Sequence, residues 1–273
     1  MPFFRYFAVA LLIAAVVLLT GALNSHPTTP TPLSANPEVH AAAAKLLDDA
    51  LGRLDPARVG WLETKVWQKG RLDRFTYESE GRYLVGPGRR ARLELTTHHG
   101  RADATMLAVS NGELVWQGRR TSDGRWADVT RSPVSSISPA PATTDAPAPP
   151  GEESLRGPSL GGVLGLLRSM RSRIDWSRKE TVRRDGRECT KLTGSCPADS
   201  SSNLPWPDGM PRQCRLYLDV QTLWPHRVEW WGPDSPRSGD VLLQQIEFRA
   251  PVLNRPLSAE QASREFAFPT DGK

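Results

Sequence analysis

Apolar residues recur along this chain with two different periods, and the switch between them lays out the fold. Over 37–54, Val39, Ala43, Leu46, Leu47, Ala50 and Leu51 recur at helical spacing, with Lys45, Asp48, Asp49 and Arg53 opposite them. That stripe predicts an amphipathic helix, with Asn36 as its N-cap and Pro37 as its first residue. From Gly60 the period falls to two. Strands are predicted over 60–68, 72–79, 82–85, 91–97, 105–110, 114–120 and 125–130. The turn signals between them are Lys69-Gly70, Glu80-Gly81, Gly86-Pro87-Gly88, His99-Gly100, Asn111-Gly112 and Asp123-Gly124.

A second helix, predicted over 160–173, puts Leu160, Val163, Leu164, Leu167 and Met170 on one face, with Ser159 as its cap. Gly161, Gly162 and Gly165 lie inside it and cost roughly 0.5–1 kcal/mol each relative to Ala. Such a helix holds by packing its apolar face, either as a core helix or as a lid over an apolar cavity. Period-two segments return at 175–184, 188–193, 215–220, 227–231, 241–249 and 265–268, and Ser258 with Gln261 forms a capping box before the last of them. The class is therefore α+β. It is a large curved antiparallel β-sheet, or an incomplete β-barrel, with helices covering its concave face. Such an arrangement leaves an apolar cleft suited to a ligand.

The pattern also divides the chain. Residues 7–23 read FAVALLIAAVVLLTGAL behind Arg5, so 1–24 is predicted to be an export signal or an uncleaved membrane anchor. Either reading puts the body outside the cytoplasm, in the periplasm or tethered to the inner membrane through 7–23. A Pro/Thr linker follows over 25–37, a single domain over 38–269, and a short tail over 270–273. Within the domain, 132–154 is rich in Pro, Ala and Thr. It reads as a disordered surface insertion, because it cannot bury enough apolar surface to order itself.

An oxidising compartment bears on the three cysteines, Cys189, Cys196 and Cys214. One disulfide with one thiol left over is expected. Cys196–Cys214 would staple the base of a Pro/Ser-rich loop, and Cys189–Cys214 across paired strands is the alternative. The spacing does not suit zinc, and no metal or cofactor is expected.

A net charge of +5 comes from arginines scattered in short groups, with no recognition-helix or RNA-binding pattern, so nucleic acid is not an expected partner. Nine tryptophans outnumber seven phenylalanines and four tyrosines, which suits cores, interfaces and ligand cavities. Catalysis finds no support: there is no GxSxG, HExxH or Gly-rich phosphate loop. His98 and His99 sit on opposite faces of a strand, and the acidic residues are dispersed. In LYLDVQTLWPHRVEWWG (216–232), alternation puts Trp230 on the concave face with Val228, and Trp231 on the other face. His226 then reads as a hairpin residue with no catalytic partner.

Four stretches together resemble a known family. VSNGELVWQ (109–117), YLVGPGRRARLEL (83–95), LYLDVQTLWPHRVEW (216–230) and IEFRAPVLNRPLSAEQASREFAFP (246–269) are similar, in that order, to hairpins and the terminal segment of LolA-type lipoprotein carriers. In that family an arginine precedes the Pro of the second hairpin; here the residue is Gly86. The resemblance implies an incomplete barrel wrapped around lid helices, and an apolar cavity that receives acyl chains of lipoproteins or lipids. On this chain the cavity and lid would be formed by Leu160, Val163, Leu164, Leu167, Met170, Trp116, Leu218 and Trp230. The alternative is a non-enzymatic envelope sensor with a filled cavity and a protein partner.

Overall fold

The computed structural model describes residues 37–72, 75–99, 102–121, 123–134, 162–196, 211–233 and 239–269. The expected export segment, the linker up to residue 36, most of the insertion, Asn36, Ser159, Leu160, Gly161 and the tail lie outside the described residues.

Helix α1 (Pro37–Arg53) and a single turn, α2 (Pro56–Val59), precede six strands: β1 (Leu62–Leu72), β2 (Phe75–Gly86), β3 (Arg90–His99), β4 (Ala102–Asn111), β5 (Leu114–Arg120) and β6 (Trp126–Pro133). Helix α3 (Gly162–Arg173) follows. Then come β7 (Asp175–Arg184), β8 (Arg187–Ser195), β9 (Gln213–Asp219), β10 (Pro225–Pro233), β11 (Asp240–Val252) and α4 (Ala259–Glu265). The eleven strands form one sheet in the order β6-β5-β4-β3-β2-β1-β11-β10-β9-β8-β7. Every pairing is antiparallel. The sheet is curved and unclosed. Two meanders, β1–β6 and β7–β11, join where β1 pairs β11, so β6 and β7 are its edges. β7 is dense in charge, and β6 carries Asp128 at φ 54° beside a register break, features that discourage further pairing.

Alternation gives the sheet two unlike faces. On the inner face, Leu62, Val66, Tyr83, Leu93, Leu95, Leu192, Leu216, Leu218, Val228 and Ile246 are buried in one cluster with Leu47 and Ala50 of α1 and Leu164 and Leu167 of α3. On the outer face, α4 presses Ala262 and Phe266 onto Leu84, Leu107 and Val109. Trp61 stacks on Phe266 at 5.1 Å there, and Trp126 tilts against Phe268 at 5.4 Å. Ser258 and Gln261 form the expected capping box at the start of α4.

Two expected turns are not turns. Lys69-Gly70 lies inside β1, which runs on to Leu72, and Glu80-Gly81 lies inside β2, so residues 75–79 and 82–85 of two predicted strands belong to one twelve-residue strand. Each glycine marks a close approach instead. A Cβ on Gly70 would lie 2.4 Å from the Tyr77 ring, and one on Gly81 would lie 1.8 Å from the Glu94 carbonyl oxygen. The segment expected as a last strand, 265–268, ends α4 instead: Phe266 is the helix C-cap and its ring covers the outer face. Aromatic spacing alone cannot tell a strand from the end of a helix that docks its rings.

Gly81→Ala therefore forces apart β2 and β3 at the middle of their ladder. It should lower the unfolding free energy by about 2 kcal/mol or more, measured by urea denaturation. A change within about 0.5 kcal/mol would contradict the close approach.

Candidate ligand-binding site

The inner face is built from the two long helices upward. α1 packs against β7 and α3, with Ala43, Leu47 and Ala50 wholly buried. α3 buries Val163, Leu164, Leu166, Leu167 and Met170. Its first residue, Gly162, has φ 47°, and a Cβ there would lie 1.9 Å from Tyr83 Cζ. Only glycine lets the helix start in the left-handed region and rest on that ring. At the other end, Arg171 Nη2 donates to Asp48 Oδ2 at 2.8 Å, tying α3 to α1. Both side chains are about half exposed, and such a surface pair contributes roughly 0–1 kcal/mol.

Beneath the helices the floor is aromatic. Trp176 and Trp224 are among the largest fully buried side chains. Trp224 donates its indole N–H to the Phe248 carbonyl at 3.0 Å. The Trp176 indole N–H and the Tyr83 hydroxyl are buried without partners. Burial pushes the Tyr83 phenol well above its ordinary range. Unpaired buried polar atoms are costly, and each marks a place where the packing is not self-sufficient.

Of the residues expected in the site, Val163, Leu164, Leu167, Met170 and Leu218 meet in one cluster, and Trp230 packs at its margin. Leu160 lies outside the described residues. Trp116 is on the other side of the sheet. It pairs with Val109 of the outer cluster, and Arg131 lies over its ring at 5.8 Å. The alternation of 114–120 shows two faces without saying which is inner, and only the register with β4 decides it. Trp230 and Trp231 do part: Trp231 lies under Arg215 at 4.2 Å and donates to Glu229 at 3.0 Å. The expected site omitted the α1 stripe, Trp176 and Trp224. The stripe was legible as a helix face. Trp224 was not, because Leu223 takes φ 59° and breaks the alternation just before it.

All three cysteines stand as free thiols, so the structure does not contain the expected disulfide. Cys214 stands opposite Gly194, two residues before Cys196, so these two are diagonal neighbours on the inner face. The Cys196 N–H donates to the Arg212 carbonyl at 2.9 Å, so a backbone bond already closes the loop base. Cys189 pairs with Asp219 on the outer face, which rules out its pairing with Cys214 across the sheet. Burial pushes the Cys196 thiol up to about 12 and the Cys214 thiol well above its ordinary value, so neither is a ready nucleophile.

The departure at Gly86 has a steric cause. A Cβ there would lie 1.9 Å from the Trp61 ring, so an arginine at this position would displace Trp61 from its stack on Phe266. His226 lies at the outer face, beside a depression of about 450 Å³ that Arg184, Arg187, Tyr217, Arg227 and Glu247 help to line. Two of the basic groups there are matched locally: Arg227 pairs with Glu229 at 2.6 Å and with Glu247 at 3.2 Å, and Arg184 stacks on Tyr217 at 4.9 Å. His226 Nε2 is 3.2 Å from Arg187 Nη1 and 3.7 Å from the Asp219 carboxylate. Asp219 is itself engaged by Gln221 and Thr222 in the β9–β10 turn. Among the described residues no cluster suited to a metal ion occurs.

No family model matches the chain, and no curated protein does. Solved structures that it resembles include the MucA/MucB complex of Pseudomonas aeruginosa, at 17% identity over 81% of this chain and 60% of that one, with a TM-score of 0.39. They also include LprF from Mycobacterium bovis, at 12% identity over 84% and 97%, with a TM-score of 0.41. A LolA superfamily protein from Nitrosomonas europaea matches at 10% identity over 83% and 97%, with a TM-score of 0.31. This chain thus spans 60% of the MucB-containing chain that it matches. At such identities and TM-scores none of the three carries a functional reading, which rests on this chain's own residues.

Burial, and then the Arg187 cation, hold His226 below its ordinary value of 6.5. The folded state therefore binds fewer protons than the unfolded state just below that pH, and stability falls as pH drops through 6.5. The loss tied to Asp219, whose carboxyl is held below its ordinary 3.8, comes only at lower pH. Melting curves between about pH 7 and pH 5 should show a shallower decline for His226→Gln than for the parent. Identical slopes would contradict this.

Proposed function

We propose that this is a non-enzymatic, extracytoplasmic protein that binds acyl chains of lipoproteins or lipids between α3 and the inner face of the sheet. The observation that carries the reading is the way α3 is held. Its buried side is apolar throughout, and the one ion pair described between it and α1 is half exposed. Lifting five side chains of that size costs on the order of 10 kcal/mol. An acyl chain of about fourteen methylenes, at ~0.8 kcal/mol each, returns about the same amount when it takes their place. Exchange of helix for chain is then nearly neutral, which is what uptake and release require. The resemblance to LolA-type carriers supports the same reading, as do the apolar segment 7–23 and the periplasmic setting it implies.

One observation favours a second reading. Leu47, Leu167 and Trp176 are wholly buried, so the protein's own side chains fill this part of the inner face. On that reading the chain is an envelope interaction module that takes up no lipid and contacts a protein partner.

The two readings separate in one experiment. Delipidated protein should bind a fluorescent fatty acid saturably. Asp48→Cys with Arg171→Cys, bridged by a bifunctional maleimide, should abolish uptake while raising the melting temperature. Absence of saturable binding by the unbridged protein, or undiminished binding by the bridged one, would overturn the acyl-chain reading.

A further inference from the structure

Across the inner face, polarity changes abruptly between β1 and β11. Register places Thr97 beside Ser79, Ser79 beside Gln68, Gln68 beside Ile246, and Ile246 beside Val228. On the β1–β3 side of that row every member is polar; on the β11–β10 side every member is aliphatic. The polar members are buried and linked: Gln68 Nε2 donates to Ser79 Oγ at 3.4 Å, and Ser79 and Thr97 share a hydrogen bond of 2.7 Å. One row further along, Gly70 lies between Tyr77 and Gln244, and Gln244 pairs with Trp230.

Gln244 is the exception in this patch. It is 1% exposed, and its amide makes no well-formed hydrogen bond, the Tyr77 hydroxyl being the polar neighbour close enough to act on it. Its phenolic neighbour Tyr77 is pushed far above its ordinary range by burial, so it remains a neutral hydroxyl. An amide kept dry with so little of its hydrogen-bonding capacity used is costly in a finished core. It is useful where a ligand supplies the missing donor and acceptor. None of Thr97, Ser79, Gln68, Gln244 and Tyr77 is charged. A phosphate or carboxylate buried beside them would find no cation among them, whereas ester carbonyls and hydroxyls would be satisfied.

We propose that this patch receives the neutral, hydrogen-bonding head of an acylglycerol, with the amide of Gln244 meeting an ester carbonyl and a glycerol hydroxyl. The acyl chain would then run past Trp230 and Val228 toward Leu216, two strands from Gln244 and about 10 Å away. This assignment rests on the acyl-binding reading above and adds the chemistry of the head.

The test is competition against a bound fluorescent fatty acid by three lipids of equal chain length: a monoacylglycerol, a free fatty acid and a lysophosphatidic acid. The monoacylglycerol should displace the probe at a concentration at least tenfold lower than either acid. Gln244→Leu should erase that preference. Thr97→Val, at the far side of the patch, should reduce the preference by a smaller factor and guards against a folding defect in the first variant. Equal competition by all three lipids, a lead for lysophosphatidic acid, or a preference unchanged in Gln244→Leu would overturn the head assignment alone. Failure of the probe itself to bind would overturn the acyl-binding reading and this assignment together.

Discussion

An open sheet of eleven strands has one large face that must be kept from water, and the rest of this structure depends on what covers it. Eleven strands at about 4.8 Å spacing are roughly 48 Å across. Set against that width, α1 and α3 are short, at 17 and 12 residues. They cover what they can with continuous apolar stripes, and the floor answers with Trp176, Trp224 and the aliphatic rows of β8–β11. α4 performs the same service on the outer face with Phe266 and the stacked Trp61. Elsewhere that face is covered by ion pairs and by arginines lying over Trp67, Tyr217 and Trp231.

The inner face is not uniform, and that matters more for function than its size. Where α3 packs, hydrophobic burial dominates, and the contact is non-directional and exchangeable with any apolar chain of similar area. Where β1–β3 meet β11, the burial is of amides and hydroxyls, for which geometry decides the energy. A surface that passes from one to the other within a single row of side chains has the outline of the ligand proposed for it, apolar at one end and polar at the other. The outer-face cluster around His226 has the opposite character. Arg227 and Arg184 there face Glu229, Glu247 and the Tyr217 ring, and Arg187 lies against His226.

Much of this architecture was legible in the alternation of the chain, and the failures have identifiable causes. The 3.6-residue stripes of α1 and α3 stood out because the segments beside them in the domain alternate with period two. β7 was readable to its last residue because Arg184 is followed by a turn at Asp185 and Gly186, both at positive φ. Gly70 and Gly81 were misread because glycine marks close approach as readily as it marks turns, and only the Tyr77 ring and the Glu94 carbonyl distinguish the two. Trp116 was assigned to the wrong face because the face of an isolated strand is undefined until its register is known. Gln244 gave no signal at all: a glutamine in a strand reads as a solvated residue, and its burial follows from its place on the inner face, in step with Ile246.

The central claim is that an acyl chain occupies the inner face. Its most direct test is native mass spectrometry of the protein isolated from cells under non-denaturing conditions, without a delipidation step. A population heavier than the polypeptide by the mass of an acylated lipid is expected, which solvent extraction removes and releases for identification. Polypeptide mass alone, from preparations that retain their fold, would contradict it.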